Sequence, residues 1–191
     1  DDLLPRASGR RGLVGAAVSD HLKLRPYIRD IPDFPTKGIL FRDITPLLKH
    51  GPAFRRAIQA LARRHRHRRP DAVVAIESRG LIVGAALAYE LGIGVIPVRK
   101  QGKLPHKTYR ASYTLEYGEG VLEIHQDAVR RNARVLLVDD LLATGGTMAA
   151  TIRLIEQCGG RIAELAFLVE LTALKGRERL VPHPVVSLVQ F

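Results

Sequence analysis

The apolar residues of this chain form short runs that alternate with stretches of helical periodicity. Runs rich in valine, isoleucine and leucine are typical of strands buried on both faces. Such runs occupy residues 71–76, 94–98, 134–139, 162–171 and 185–189. Between them, apolar residues recur at helical spacing over 52–66 and 81–91, and small residues follow Gly146. This alternation predicts an α/β fold with a mainly parallel central sheet flanked by helices.

Two stretches interrupt the alternation. Residues 33–46 mix turn-forming residues with an apolar patch, which predicts a structured loop rather than a regular element. Residues 100–120 are punctuated by glycine and proline and end in alternating residues, which predicts a mobile loop that leads into a β-hairpin with residues 121–124. Long loops in compact domains are usually functional, so both stretches are candidates for ligand contacts.

Length and composition indicate one globular domain. Of the 191 residues, we assign 20–191 to the domain and 1–19, rich in arginine and glycine, to a loosely ordered tail. Hydrophobic residues make up 46% of the chain, and no apolar run is long enough to cross a bilayer, so we expect no membrane contact. The single cysteine, Cys158, excludes an internal disulfide and suits a reducing compartment, which makes the cytoplasm the expected location.

The charge balance favours anionic partners. The formal net charge is +11, which suits either nucleic acid or small phosphorylated substrates. Five arginines form a run with two histidines at residues 63–69, at the end of a predicted helix. Cations there complement the helix dipole, so we interpret the run as a solvated helix end and expect no nucleic-acid partner.

The most informative stretch is 134–151, where a buried strand, two carboxylates and a glycine turn precede a helix. The free N–H groups of a helix N-terminus bind anions, and glycines let the backbone approach a phosphate closely. We therefore predict a phosphate cradle made of Ala143, Thr144, Gly145, Gly146 and Thr147. The acids Asp139 and Asp140 would repel that phosphate, so sugar hydroxyls or a divalent metal are their expected partners.

A second anion site is expected at the ends of two other strands. Glu77, Ser78, Arg79 and Gly80 repeat the strand-to-helix arrangement, and Arg99, Lys100 and Lys103 follow at the start of the mobile loop. Backbone N–H groups and a guanidinium suit a second phosphate, and loop closure would bring the other cations onto it. Pyrophosphate fits such a site.

The ordered combination of these motifs resembles the adenine phosphoribosyltransferases of the type I phosphoribosyltransferase family. The strand, Asp139–Asp140 and Thr144–Thr147 look like that family's signature for phosphoribosyl pyrophosphate (PRPP), and the resemblance extends from about residue 33 to residue 191. It implies a single-domain type I phosphoribosyltransferase-like fold with a small hood, and a homodimer. It also implies the transfer of the 5-phosphoribosyl group from PRPP to adenine, giving AMP and pyrophosphate, with Mg²⁺ held mainly by PRPP.

The resemblance also assigns roles around the purine. Glu116 would be the catalytic base and Tyr117 would position the loop; backbone groups around Leu40 and Arg42, with apolar contacts from Phe41 and Leu171, would bind adenine. Two alternatives stay open. One is a hypoxanthine, guanine or xanthine phosphoribosyltransferase, and the other is a PRPP-sensing regulator that binds nucleic acid.

Overall fold

The computed structural model of the protein describes residues 22–67, 69–115 and 118–191. The predicted tail, 1–19, lies outside the described residues. None of the helices in these ranges is long and apolar enough to cross a membrane.

A seven-stranded sheet organises the described part of the chain. Two short strands, β1 (Arg29–Pro32) and β2 (Leu40–Asp43), pair in a separate antiparallel sheet. The main sheet contains β3 (Ala72–Ile76), β4 (Gly94–Lys100), β5 (Thr108–Leu115), β6 (Gly118–His125), β7 (Arg134–Leu142), β8 (Arg161–Glu170) and β9 (Val185–Gln190). Their order is β5-β6-β4-β3-β7-β8-β9, and all neighbours are parallel except those that involve the hairpin β5–β6. The predicted mainly parallel α/β fold is confirmed.

Helices cover both faces of this sheet. They are α1 (Thr45–Lys49), α2 (Gly51–Arg64), α3 (Arg79–Leu91), α4 (Gly146–Gln157) and the short α5 (Gly176–Arg179). Successive strand residues point to opposite faces, so Val73 packs in the core shared with α2 and α3, and Val74 packs in the core shared with α4. The continuous apolar runs of the central strands follow from this two-sided burial.

The interpretation of 33–46 as a loop without regular elements is wrong in part. Strand β2 pairs with β1, and α1 begins soon afterwards at Thr45. Asp43 joins the two elements, because its carboxylate accepts hydrogen bonds from the Thr45 backbone N–H at 2.9 Å and from Arg29 at 2.6 Å. The turn formers of this stretch serve only the connection between β1 and β2.

The predicted mobile loop, 100–120, is also shorter than expected. Strand β5 begins at Thr108, so only residues 101–107 connect β4 to the hairpin, whose existence is confirmed. Glu123, which is only 2% exposed, holds this connection in place. Its carboxylate accepts hydrogen bonds from the Gly102 N–H at 2.9 Å and from Arg110 at 2.8 Å. Cross-strand pairing, which local sequence does not reveal, gives this segment its regular structure.

Strand β7 continues through both predicted ligand carboxylates. We expected it to end at residue 139, but Leu141 and Leu142 still pair with β8. Asp139 and Asp140 therefore belong to a strand, which fixes their backbone more firmly than a turn would. The glycine turn follows at Gly145, three residues after the end of β7 at Leu142.

A buried charged cluster joins β8, α5 and β9. Glu170 is only 3% exposed, and its carboxylate accepts hydrogen bonds from Arg177 at 2.7 Å and from Ser187 at 2.5 Å. Burial opposes the ionisation of Glu170, but these hydrogen bonds outweigh burial and lower its pKa. The cluster holds α5 against the end of the sheet.

Acid should weaken this cluster. A carboxylate with a lowered pKa stabilises the fold above its unfolded pKa of about 4.3, and that contribution is lost as the pH falls through the folded pKa. We expect Glu170→Gln to lower the free energy of unfolding by about 1–3 kcal/mol at pH 7. The difference from wild type should begin to shrink below about pH 4.3, where the carboxyl of the unfolded chain becomes protonated, and it should be lost as the pH falls through the lower pKa of the folded state. Urea unfolding at several pH values measures it, and a difference that stays constant down to pH 3 would contradict the assignment.

Candidate active site

The predicted ligand groups meet at one edge of the main sheet. Strand β3 lies between β4 and β7, and all three are parallel, so their carboxyl ends are neighbours. Residues 77–80 follow β3, Arg99 and Lys100 end β4, and Asp139 and Asp140 lie near the end of β7. Ligands of open α/β sheets bind at this edge. The fold thus brings together three groups that are far apart in sequence.

The expected phosphate cradle surrounds a small cavity. Its volume is about 70 Å³, and its lining contains all five predicted cradle residues, 143–147, together with Asp139 and Phe167. Helix α4 begins at Gly146, so its unpaired N–H groups face this end. The helix dipole adds positive potential there, which suits an anion of phosphate size.

Backbone geometry explains the glycine at position 145. Gly145 has a φ of 81°, in the left-handed region that favours glycine. A Cβ there would lie 2.8 Å from the carbonyl oxygen of Gly176, so the start of α5 packs directly behind the cradle. A Cβ on Gly176 would in turn meet the carbonyl oxygen of Ala143. The two glycines hold the cradle and α5 in contact.

The two carboxylates of β7 have different environments. Asp140 is 7% exposed and accepts a hydrogen bond from Arg79 Nε at 2.5 Å. Burial and the neighbouring charge of Asp140 raise the pKa of Asp139 well above its usual range. Gly80 lets α3 begin against this pair, because a Cβ there would lie 2.6 Å from Asp139 Oδ1. One carboxylate is thus neutralised by Arg79, and the other holds a proton more readily than a surface aspartate.

Glu77 binds the Arg99 side chain and the Lys100 backbone, two of the groups expected at pyrophosphate. Its carboxylate accepts hydrogen bonds from Arg99 Nε at 3.1 Å and from the Lys100 backbone N–H at 3.0 Å. Burial opposes ionisation, but these partners outweigh it and lower the pKa of Glu77. Arg99 also donates to the carbonyl of Lys103 at 3.2 Å. The structure therefore brings Arg99, Lys100 and Lys103 together, and Ser78 is exposed beside them.

The expected purine contacts lie on β2 and at the end of β8. Phe41 packs edge-on against Phe34 with ring centroids 5.1 Å apart, and the Arg79 guanidinium lies 5.3 Å from the Phe41 ring. Arg42 pairs with Asp30 and lies over the Phe191 ring, so its side chain is engaged away from a ligand. Because β2 pairs only with β1 among the described residues, its other edge offers free backbone groups near Leu40.

Leu171 is half-buried and follows β8. Its backbone N–H donates to Leu142 at 2.9 Å, which ties it to the end of β7. Its position beside the carboxylate strand suits the apolar contact expected of it.

The remaining two predicted catalytic residues, Glu116 and Tyr117, lie outside the described residues. The described strands of the hairpin end at Leu115 and resume at Gly118, and these two residues pair. The roles of Glu116 and Tyr117 stay predictions.

Sequence reasoning missed two contributors to this site. The packing of Gly176 behind the cradle joins residues that are distant in sequence. Tyr113 had no predicted role, although Asp139 is close enough for its charge to raise the Tyr113 pKa. Neither contact follows from local patterns.

Comparisons with known proteins agree with this geometry. The phosphoribosyl transferase domain family matches residues 44–189. Adenine phosphoribosyltransferase of Chloroflexus aurantiacus is 58% identical over 168 residues, which cover 88% of this chain and 97% of that protein. The crystal structure of adenine phosphoribosyltransferase from Thermoanaerobacter pseudethanolicus superposes with a TM-score of 0.85 at 51% identity, covering 88% of this chain and 98% of the other.

A more distant structure was solved with ligands. Adenine phosphoribosyltransferase from Saccharomyces cerevisiae, complexed with an imino-altritol bisphosphate and adenine, has a TM-score of 0.83 at 38% identity. The match covers 87% of this chain and 96% of the yeast chain. With a family match over most of its length and relatives above 50% identity, this chain belongs to the adenine phosphoribosyltransferases of the phosphoribosyltransferase family.

Proposed function

We propose that this protein transfers the 5-phosphoribosyl group of PRPP to adenine, giving AMP and pyrophosphate, a reaction of purine salvage. The crevice where the α4 cradle, the β7 carboxylates and the β4 cations meet carries the proposal. It offers separate places for a phosphate, a sugar and a second anion. The high identity to adenine phosphoribosyltransferases supports adenine as the acceptor.

The cradle and the carboxylates bind the ribose 5-phosphate part of PRPP. The N–H groups at the start of α4 and the hydroxyls of Thr144 and Thr147 contact the 5′-phosphate. Asp139 and Asp140 contact the ribose hydroxyls. As pyrophosphate leaves, the ribose becomes oxocarbenium-like, and nearby carboxylates stabilise its positive charge.

The cations stabilise the leaving pyrophosphate. Arg99, Lys100 and Lys103 supply positive charge, and Glu77 keeps Arg99 and the Lys100 N–H oriented before substrate arrives. Arg79 is bound to Asp140 and lies near Phe41, so it connects the ribose, pyrophosphate and purine parts of the crevice. Preorganised charges of this kind need no rearrangement when negative charge develops.

The purine reacts as a nucleophile. Its ring nitrogen forms a bond to the anomeric carbon, the bond from that carbon to the pyrophosphate oxygen breaks, and the proton of the ring nitrogen passes to Glu116. Tyr117 positions this part of the hairpin. The free edge of β2 near Leu40 and Arg42 binds the purine edge, and Phe41 and Leu171 contact its faces.

Mg²⁺ belongs to the proposed reaction as an ion brought mainly by PRPP. Among the described residues, no three metal-ligating side chains form a cluster. Asp139 and Asp140 are the protein carboxylates in the crevice that would face it. When bound, Mg²⁺ neutralises charge on pyrophosphate. The cytoplasmic location stays a prediction.

A homodimer is also part of the proposal. Ile82 and Tyr89, which are 49% and 89% exposed, share one outward stripe of α3, and Val95 on β4 is also exposed. Strand β6 pairs with β4 only at Arg99 and Lys100, so the β4 edge at residues 94–98 has no paired strand among the described residues. An apolar stripe beside a free edge suits a second copy of the chain.

Substrate choice tests the proposed reaction. With Mg²⁺ and PRPP, we expect AMP formation from adenine at a kcat/KM at least about 10²-fold above the values for hypoxanthine and guanine, because a site that pairs with one purine edge leaves polar groups unpaired with another. Steady-state assays with each base measure this ratio. Comparable turnover of hypoxanthine would contradict the adenine assignment, and no turnover of any base would favour a PRPP-sensing regulator.

Glu116→Gln tests the catalytic base. The amide keeps the shape but loses basicity, so AMP formation should slow by a factor on the order of 10² to 10⁴. Single-turnover measurement with enzyme in excess avoids masking by slow product release. Glu119→Gln, in the same hairpin, is the matched control and should react at the wild-type rate. A near-normal rate in folded Glu116→Gln would remove this residue from the chemical step.

Tyr89→Arg tests the proposed dimer surface. Placing a charge in the apolar stripe of α3 should shift the protein from dimer to monomer in sedimentation velocity, because an interface core excludes unpaired charge. Val181→Arg, at another exposed apolar residue, should leave the dimer intact. A dimer that survives Tyr89→Arg would place the interface elsewhere, and a monomeric wild type would refute the dimer itself.

A further inference from the structure

The Tyr113 side chain lies across the β5–β6 hairpin, whose two strands come before and after Glu116 in the sequence. It is on β5, opposite Gly120 of β6. A Cβ built on Gly120 would lie between 2.5 and 2.7 Å from Cζ, Cε1 and Oη of Tyr113. Only glycine leaves room for the ring at this position. The outer half of the ring therefore occupies the place that a side chain would take on the facing strand.

Tyr113 also faces the start of α4, next to the phosphate cradle. Tyr113 lines a cavity of about 380 Å³ whose other walls come from α4 and α5, together with Ser112 of its own strand. Two of these wall residues are Gly146, the first residue of α4 and part of the cradle, and Ala149, one turn later. Tyr113 thus lines a cavity that shares Gly146 with the predicted binding site of the 5′-phosphate.

A second contact joins α4 to this strand. Arg153 of α4 donates a hydrogen bond from Nη2 to the carbonyl of Ser112 at 2.5 Å. The hairpin has few other attachments to the sheet, because β6 pairs with β4 only at Arg99 and Lys100. The contacts of residues 112 and 113 with α4 are therefore well placed to set the orientation of the hairpin.

The electrostatic environment agrees with this placement. Burial raises the pKa of the Tyr113 hydroxyl, and the negative charge of Asp139 raises it further. Among the described residues, none is hydrogen-bonded to this hydroxyl. A phenol near a ribose-binding carboxylate is available to a ligand or to that carboxylate when the site fills.

We infer that Tyr113 is a positioning residue that couples PRPP in the cradle to the hairpin bearing Glu116. This inference rests on the proposed function. A phosphate bound at the start of α4 fixes that helix end, and the Tyr113 ring transmits the constraint to the hairpin through Gly146, Ala149 and Gly120. The base is then held over PRPP only when PRPP is present, which protects the reacting carbon from water.

A purely structural role makes a different prediction. Tyr113 also packs against the core beneath α4, as does Tyr109. Tyr109 is on the same strand and the same face, but it lies opposite Ile124 rather than a glycine. If Tyr113 only fills the core, replacing either tyrosine should have the same kind of effect. Tyr109 is therefore the matched control.

Hydrogen exchange measures the coupling directly. In wild type, Mg·PRPP should slow amide exchange across β5 and β6, because the hairpin becomes fixed. Tyr113→Ala should abolish this slowing and lower the single-turnover rate of AMP formation by about 10- to 100-fold. The dissociation constant of PRPP from calorimetry should change less than about threefold, a free-energy change below about 0.7 kcal/mol. Tyr109→Ala should keep the slowing by PRPP even if its Tm falls.

Two further variants separate the ring from its hydroxyl and from folding. Tyr113→Phe keeps the ring and should retain most of the exchange slowing and of the rate. Gly120→Ala keeps the tyrosine but forces the end of its ring to move, so it should reproduce the defect of Tyr113→Ala. These variants also decide the question if Tyr113→Ala fails to fold.

Three results would overturn the inference. The first is that Tyr113→Ala and Tyr109→Ala show the same exchange slowing by PRPP and the same rate per folded molecule. The second is wild-type behaviour of Gly120→Ala, and the third is a loss of rate and of exchange slowing in Tyr113→Phe as large as in Tyr113→Ala. Failure of the proposed function is recognised separately. In that case wild type forms no AMP from adenine, while the exchange response to Mg·PRPP still reports whether Tyr113 couples the cradle to the hairpin.

Discussion

The site depends on the junction between β7 and α4. Strand β7, buried over residues 135–138, delivers two carboxylates to the sheet edge, and a glycine at a φ of 81° then turns the chain so that α4 begins at Gly146. The turn has no space for a side chain, because the start of α5 packs against it at Gly176. Displacement of any one element would move the N–H groups proposed to bind phosphate, together with the carboxylates proposed to bind the ribose.

Charge pairing within the crevice follows from the same junction. A buried carboxylate needs a cation or hydrogen bonds, and Asp140 has Arg79 while Glu77 has Arg99. These pairs hold Arg79 and Arg99 in place before a ligand binds, and they partly neutralise the positive charge of both side chains. Asp139 has no described cation within salt-bridge distance, and its raised pKa reflects burial and the charge of Asp140. The arrangement suits a substrate that brings its own negative charge and metal ion.

The sequence predicted those parts of the structure that local patterns determine. Two-sided burial produces continuous apolar runs, so the central strands were predicted well, and glycine with threonine before a helix indicated the cradle at 143–147. Pairing between distant segments left no such signal. The pairing of β2 with β1, the extension of β7 to Leu142 and the start of β5 at Thr108 depend on partner strands, and all three were missed.

Side-chain partners were predictable only in part. Charge and strand-end position indicated Arg79 and Arg99, because few residue types bind anions. The same position indicated the aspartates, because carboxylates suit sugar hydroxyls or a divalent metal. The role of Glu77 in holding Arg99, and the reach of Tyr113 to α4, depend on distances across the fold. The resemblance assigns the catalytic roles to residues 116 and 117. These two residues lie outside the described residues, so their roles stay predictions.

The most direct test is calorimetric binding of Mg·PRPP to wild type and to Gly146→Val. A β-branched side chain at the start of α4 would occupy the space where the 5′-phosphate meets the backbone, so binding should weaken by at least about 10²-fold, or about 2.7 kcal/mol. Gly51→Ala, at a helix start where a Cβ meets nothing within 4 Å, is the control and should bind normally. Unchanged PRPP affinity in a folded Gly146→Val protein would contradict the assignment of this junction as the phosphate site.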